Sequence, residues 1–207
     1  MNFNQIVATT APEYGRLPEA RVCPDQYVGR LSQVINQTDF PVRLAVNERP
    51  GSPCLIMVLE SPRFHEFNEP FEDPGPAKGD TGKYLRLHLV DAIDCAALQN
   101  AGLILMNPIQ YQCSLGESTA LYRDKIFRAV WANGGRQEFI DRLLSTFEPG
   151  DILMNCCTWG SSSDSGAPLR HLVEDGIRAA LPKVDSIKRT HPFSWKYREN
   201  RGKNWHY

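Results

Sequence analysis

The stretch CLIMVLESP, residues 54–62, decides the fold, because six consecutive apolar residues run directly into Glu60, Ser61 and Pro62. An uninterrupted apolar run of this length is typical of a strand that a parallel sheet buries on both faces. Three further runs with strand character follow, each bounded by turn residues: GLILMN (102–107), DILMNCC (151–157) and VDSIKR (184–189). We therefore predict four strands at the centre of the domain.

Segments with helical periodicity separate these strands. They cover residues 81–93, about 117–131, 136–147 and 168–181. Strands that alternate with helices at this spacing indicate βαβ units. We predict an α/β fold of three layers, in which a mainly parallel four-stranded sheet lies between two layers of helices.

The rest of the chain completes one domain over residues 1–207, a length that can bury a sizeable core with 42% hydrophobic residues. In residues 1–50 we expect an N-terminal helical extension, with a helix over 24–36 and a possible edge strand over 41–47. Residues 183–207 are predicted to hold the last strand and a basic, aromatic tail. The Pro- and Gly-rich stretch 63–82 and the Ser-rich stretch 160–166 are predicted to be irregular.

Composition excludes several classes of protein. No apolar run approaches the roughly 20 residues that cross a bilayer, and the N-terminus lacks the layout of a signal peptide. We therefore expect a cytoplasmic monomer with no membrane partner. The six cysteines form no CxxC pair, so neither a zinc site nor a disulfide framework is expected, and no cofactor or metal is predicted.

The formal net charge of -1 conceals an asymmetry along the chain. From Lys183 onward, seven basic residues face two acidic ones, a local charge of +5, and the preceding residues carry -6. Such a division is a nucleic-acid signal, although a solvated basic tail would give the same pattern.

Chemically active side chains follow the predicted strands. In open parallel sheets the ligand lies at the carboxyl ends of the strands, so residues that follow them should meet in one crevice. Glu60, Asn107, Trp159 and His191 hold such positions. The sequence therefore predicts a carboxylate, an amide and an imidazole in one cleft, beside aromatic residues.

Each of these groups has two interpretations. Glu60 is suited to orient or deprotonate a water, and equally to cap a helix or to form an ion pair. Asn107 could read the edge of a nucleobase or cap the turn before Pro108. His191 could donate to an oxygen that gains negative charge, or could be structural.

The C-terminal tail interleaves aromatic and basic side chains. Such a pattern offers stacking planes beside phosphate-binding cations, although the rings could instead pack onto the domain. The residues are Phe193, Trp195, Tyr197 and Trp205, with Lys196, Arg198, Arg201 and Lys203.

Together and in this order, the motifs resemble those of the uracil-DNA glycosylase superfamily, from about Leu55 to Arg198. The segment LESP (59–62) is similar to the family motif in which an acid or amide beside a proline activates water. The resemblance implies that Glu60 is this acid, and that Ser61 and Pro62 lie beside the base. The strand ending LILMN (103–107) resembles the one whose terminal Asn reads the base, which implies this role for Asn107.

The other two family motifs also have counterparts. GPAKGDTG (75–82) is similar to a family loop in which a Phe stacks on uracil, and Ala77 stands in its place. Lys78 is then expected near a phosphate and Trp159 near the base, and one of Phe64, Phe67 and Phe71 is a candidate to replace the missing ring. HPFSW (191–195) resembles the closing loop that pairs a catalytic His with insertion into the minor groove, which implies catalysis by His191. It also implies DNA contacts by Ser194, Trp195, Lys196 and Arg198, and the basic tail pattern extends this expectation to Arg201 and Lys203.

The resemblance implies a DNA glycosylase that acts on a flipped-out pyrimidine and leaves an abasic site. Cysteines with the spacing of the iron-sulfur branch are lacking, so no cluster is predicted. The smaller Ala77 suggests a larger pocket, which makes a glucosylated hydroxymethylcytosine of phage DNA a candidate beside uracil. A non-catalytic nucleic-acid-binding module and a hydrolase of free nucleosides or nucleotides are the alternatives.

Overall fold

The computed structural model describes residues 1–14, 20–51, 53–67, 73–93, 98, 100–115, 118–119, 121–160 and 166–206.

One sheet of six strands crosses the described part of the chain. The strands are β1 Gln26–Arg30, β2 Leu44–Ala45, β3 Cys54–Val58, β4 Gly102–Met106, β5 Ile152–Asn155 and β6 Ile187–Lys188. Their order across the sheet is β2-β1-β4-β3-β5-β6. The four predicted strands form a parallel block, and β1 pairs antiparallel with both β4 and β2. The predicted α/β class is confirmed, whereas the sheet is mixed and six-stranded and not four-stranded.

The helix expected over residues 24–36 is wrong in its first half, where the chain forms β1. Tyr27 and Val28 favour strands, and all residues of β1 before Arg30 are buried against β4 and its neighbours. Gly29 has a φ of +122°, and the ladder shifts register between Tyr27 and Arg30, so the strand ends in an irregular turn. Pairing with a buried neighbour thus overrides the weak helical signal.

Six α-helices flank the sheet in the described residues. They are α1 Phe3–Thr10, α2 Leu31–Val34, α3 Asp80–Ala92, α4 Arg123–Val130, α5 Arg136–Thr146 and α6 Leu169–Ala180. The helices predicted over 81–93, 136–147 and 168–181 are confirmed as α3, α5 and α6. The one predicted from 117 begins at Arg123, and residues 116, 117 and 120 lie outside the described ones. The possible edge strand over 41–47 is present as the short β2.

The core lies on both faces of the sheet because successive strand side chains point in opposite directions. On one face Ile56, Ile104 and Leu153 pack with α1, α4, α5 and α6. On the other face Met57 and Leu105 pack with α2, α3 and the buried Trp195. These two packed faces give three layers. Within the described residues, no helix is long and apolar enough to span a membrane.

The C-terminal segment is folded onto the domain. After β6, residues Pro192–Lys196 form a short 3-10 helix that packs against α3. Trp205 is buried, and its indole N–H donates to the backbone carbonyls of Arg189 (3.0 Å) and Asn155 (3.3 Å). The predicted tail is therefore in part a structural element of the core.

Candidate functional site

A cavity of about 240 Å³ opens at the carboxyl ends of the four parallel strands. It is lined by one polar residue from beyond each strand end: Glu60 after β3, Asn107 after β4, Thr158 after β5 and His191 after β6. The strand-end rule explains this convergence, since parallel strands bring their carboxyl ends to one edge. The predicted cleft is thus present, with carboxylate, amide and imidazole around one space.

Glu60 is a buried carboxyl group beside a cation and a hydroxyl group. Its side chain lies 3.5 Å from the Arg123 guanidinium and accepts a hydrogen bond of 3.2 Å from the Ser61 hydroxyl. Arg123 is in turn oriented by Asp124, to which its Nε donates at 2.7 Å. Burial raises the pKa of Glu60 to about 7, against the opposing charge of Arg123. Such a carboxyl group changes its protonation state near neutral pH, where it can serve as a base or as an anion.

His191 is fixed as a neutral imidazole with a defined tautomer. It precedes the 3-10 helix Pro192–Lys196, and its Nδ1 accepts the backbone N–H of Phe193 at 3.3 Å. Burial lowers the pKa of His191 to about 4, and the charges of Arg123 and Arg63 contribute to this shift. With Nδ1 as acceptor, the proton of the neutral ring is on Nε2. The Nε2–H group is therefore available as a donor to a ligand.

Asn107 is held from three sides. Its backbone N–H donates to Asp25 (3.3 Å), and its carbonyl accepts from Arg142 (3.0 Å), which forms a salt bridge with the same Asp25. The side-chain Nδ2 donates to the Cys23 thiol at 3.8 Å. This contact leaves Oδ1 as the acceptor that Asn107 can present to a ligand.

A second carboxyl group, Glu66, also lines the cavity. It ends the 3-10 turn Phe64–Glu66 and accepts the backbone N–H of Arg63 at 2.6 Å. Burial raises the pKa of Glu66 to about 7, and hydrogen bonds from the backbone N–H groups of Arg63, Glu66 itself and Ala77 oppose this shift. The cavity therefore contains two buried carboxyl groups.

Of the other residues predicted to contact a base, Ser61 lines the cavity, whereas Pro62 is buried and does not line it. Ala77 does not line it. Ala77 is 1% exposed in the core between sheet and α3, and it is connected to the cavity through the hydrogen bond of its N–H to Glu66. The smaller side chain at this position therefore does not by itself enlarge the described cavity.

The predicted stacking rings lie elsewhere. Phe64 is 37% exposed and packs on His65, and Trp159 is 50% exposed with the Arg170 guanidinium 4.4 Å from its ring centre. Neither lines the cavity, where the aromatic carbocycle among the described lining residues is Phe193. Residues 161–165 of the Ser-rich stretch and Phe71 lie outside the described residues.

Of the two uncharged residues predicted to contact DNA, one is buried in the core and the other lines the cavity. Trp195 is fully buried, and its indole N–H donates to the Thr190 carbonyl at 3.0 Å, so the predicted DNA contact at this residue is wrong. Ser194 lines the cavity and donates to the His191 carbonyl at 2.7 Å.

The cations have different surroundings. Arg198 and Lys203 are exposed, and Lys196 lies 4.0 Å from the centre of the Phe193 ring. Arg201 is 3.6 Å from Asp91 and donates to the Trp195 carbonyl. Lys78 lies in a separate groove, with its Nζ donating to the Asp73 carbonyl at 2.8 Å.

Metal ligation has no candidate among the described residues, since no three of their His, Cys, Asp and Glu side chains form a group that could hold an ion. The described cysteines, Cys23, Cys54, Cys113, Cys156 and Cys157, are all buried.

The chain was compared with protein-family models, curated proteins and solved structures. No match was found. The resemblance to the glycosylase superfamily therefore stays a prediction, based on the motifs in the sequence.

Sequence reasoning missed three charged residues of the cavity, Arg63, Glu66 and Arg123. Arg123 lies at the start of α4 and Glu66 in a loop predicted to be irregular, and neither follows a strand. The Glu66 carboxylate accepts the backbone N–H three residues earlier, as in one half of a capping box, but Arg63 is not one of the residues that mark such a box in a sequence. Nothing in the local sequence around Arg123 indicates that its side chain reaches Glu60.

Proposed function

We propose that the protein is a DNA glycosylase that hydrolyses the N-glycosidic bond of a flipped-out pyrimidine and leaves an abasic site. The base is uracil or a bulky modified cytosine. The observation that supports this proposal best is the pairing of a buried carboxyl group, Glu60, with a neutral imidazole, His191, across one cavity.

The two groups suit the two halves of this reaction. When the C1′–N bond breaks, its electron pair leaves with the base and the sugar becomes an oxocarbenium-like cation. His191 Nε2–H donates to the oxygen of the base that gains negative charge. The Glu60 carboxylate stabilises the cation and orients a water, whose oxygen bonds to C1′ and whose proton passes to Glu60.

Other residues of the cavity have supporting roles in this proposal. Arg123 and Ser61 fix the Glu60 carboxylate, and Asn107 presents Oδ1 to the edge of the base. Phe193 supplies an aromatic face at the cavity wall. The base must leave the stack to reach these groups, at a cost of a few kcal/mol that contacts in the pocket and with phosphates offset.

The test is release of a base from DNA. Purified protein is incubated with uracil-containing DNA and, separately, with phage DNA that carries glucosylated hydroxymethylcytosine. Alkali cleavage then reports abasic sites, and mass spectrometry identifies the base. We expect release of one of the two bases, and Glu60→Gln and His191→Ala should each lower the rate by about 100-fold or more.

Matched controls separate chemistry from folding. Glu48→Gln changes an exposed glutamate of another turn, and His206→Ala changes an exposed histidine, so both should keep the parent rate. Failure to release either base would exclude the proposed activity on these substrates. Full activity of Glu60→Gln would show that the chemistry lies elsewhere.

A further inference from the structure

The proposed reaction gives no role to Glu66, although this residue lines the same cavity and is only 7% exposed. A buried carboxyl group is costly to keep without partners or a use. Its partners in the described structure are backbone N–H groups of its own loop, those of Arg63 (2.6 Å) and Ala77 among them. These bonds fix its orientation, and a carboxylate with about four acceptor positions retains capacity for one more donor.

Glu66 and Asn107 line the same cavity. The thiol of Cys23 accepts from Asn107 Nδ2 at 3.8 Å. Burial raises the pKa of that thiol, and the negative charge of Glu66 contributes to the shift. The charge of Glu66 therefore acts on the thiol that Asn107 contacts, and Asn107 is the residue proposed to read the base.

Glu66 and Asn107 both present acceptors to the cavity. Glu66 offers carboxylate oxygens and Asn107 offers Oδ1, whereas His191 offers a donor at Nε2. A pyrimidine with a 4-amino group has a donor at that edge and an accepting oxygen at O2. A 4-oxo pyrimidine would instead place the lone pairs of its O4 atom against the buried Glu66 carboxylate. Neither the O4 atom nor the carboxylate would then gain a donor from the other.

We infer that the cavity selects a pyrimidine with an exocyclic amine, a base of the cytosine class, and that Glu66 is the residue that accepts from this amine. This inference rests on the proposed function, because it takes the ligand to be a flipped-out base. It favours a modified cytosine over uracil as the substrate.

The experiment compares bases that differ only at C4. Oligonucleotides carry cytosine or uracil, in unsubstituted form, with a 5-hydroxymethyl group, and with the glucoside of that group. Release is measured at pH 8, where the carboxylate is ionised and can only accept. We expect the amino member of the released pair to react about 10- to 100-fold faster than the oxo member, as one well-placed polar contact to a base allows.

Substitution of Glu66 tests the assignment. Glu66→Gln keeps an accepting oxygen for the turn but adds a donor, so the preference should fall to about threefold or less. Glu48→Gln makes the same change in a turn with the same capping geometry outside the cavity, and should keep the full preference. If Glu66→Gln fails to fold by thermal melting, Glu66→Asp, which draws the charge back by one methylene, replaces it.

A binding arm separates this inference from the proposed function. Affinities of the Glu60→Gln variant are measured for the same amino and oxo bases, carried on 2′-fluoroarabino sugars that resist cleavage. Release with an amine preference that depends on Glu66 supports both proposals. Release without that preference, or faster release of the oxo base, overturns the inference but supports the proposed glycosylase activity.

Two outcomes remain. Selective binding of the amino base without any release, abolished in the double variant Glu60→Gln, Glu66→Gln, would overturn the proposed activity but support the assignment of Glu66. Neither release nor selective binding would overturn both.

Discussion

At the scale of single residues, the cavity contains two carboxyl groups whose burial makes their ionised forms costly to the stability of the fold. Glu60 and Glu66 each have a pKa raised by burial to about 7. Because the folded-state pKa lies above the unfolded value, the folded protein holds more protons between the two, and stability falls as pH rises through this window. Above pH 7 both groups are charged in a poorly solvated site.

We predict that Glu60→Gln stabilises the protein at pH 8 by about 1–3 kcal/mol, because the variant removes a buried charge. The gain should vanish near pH 4, where Glu60 is protonated in both the folded and the unfolded state. His191, whose pKa is lowered to about 4, contributes equally to both proteins, so the difference between them isolates Glu60. Urea unfolding at the two pH values measures the effect. A loss of stability at pH 8 would mean that the ion pair with Arg123 outweighs the cost of burial.

Only some residues of the cavity could be predicted from the sequence around them. Glu60 and Asn107 were predictable because each follows an apolar run that must become a buried strand, and His191 because it follows a segment with strand character. Glu66 and Arg123 were not, since neither follows a strand, and only the folded chain brings both side chains to the cavity.

At the scale of elements, the segment after β6 both packs into the core and contributes residues to the cavity. The 3-10 helix Pro192–Lys196 buries Trp195 against α3 and directs His191, Phe193 and Ser194 to the cavity. An alternation of aromatic and basic residues is the same in sequence whether the rings face DNA or the core. Packing decides between them, and it places Trp195 and Trp205 inside.

We predict that Trp195→Ala destabilises the protein by about 3–5 kcal/mol, as expected for removal of a fully buried aromatic side chain. Tyr197→Ala, two residues further on and 54% exposed, should change stability by less than about 0.5 kcal/mol. Denaturant unfolding of both variants measures the difference. Equal and small effects would contradict the structural role of Trp195.

The strands β1 and β2 show another limit at this scale. The segment 26–30 has a weak helical pattern of its own, yet it is the antiparallel partner of β4. Strand pairing is a contact between segments that are distant in the chain. The sequence of residues 26–30 therefore does not indicate that β4 is its partner.

At the scale of the whole molecule, the basic C-terminal segment is partly neutralised by the domain. Lys188 lies 3.1 Å from Glu174, and Arg201 lies 3.6 Å from Asp91. Arg198 and Lys203 are exposed near the segment that carries His191. The local charge of +5 in the sequence therefore overstates the charge that this surface can offer to phosphates.

We predict that Arg198→Ala with Lys203→Ala weakens DNA binding to a similar extent for all sequences. The slope of log K against log salt concentration should become shallower by about 2, close to one for each phosphate that is no longer neutralised. The control is Arg30→Ala with Arg136→Ala, two exposed arginines on other elements, which should leave the slope unchanged. An unchanged slope in the first pair would place the DNA-binding surface elsewhere.

The sequence by itself determined the α/β class, the four parallel strands and the three polar groups at their carboxyl ends, because these follow from short apolar runs and one rule about sheet edges. Only the tertiary structure decided the two antiparallel strands, the burial of Trp195 and the presence of Glu66 and Arg123 in the cavity. Burial and partnership depend on which distant segments pack together, and that is a property of the folded chain and not of any window along it.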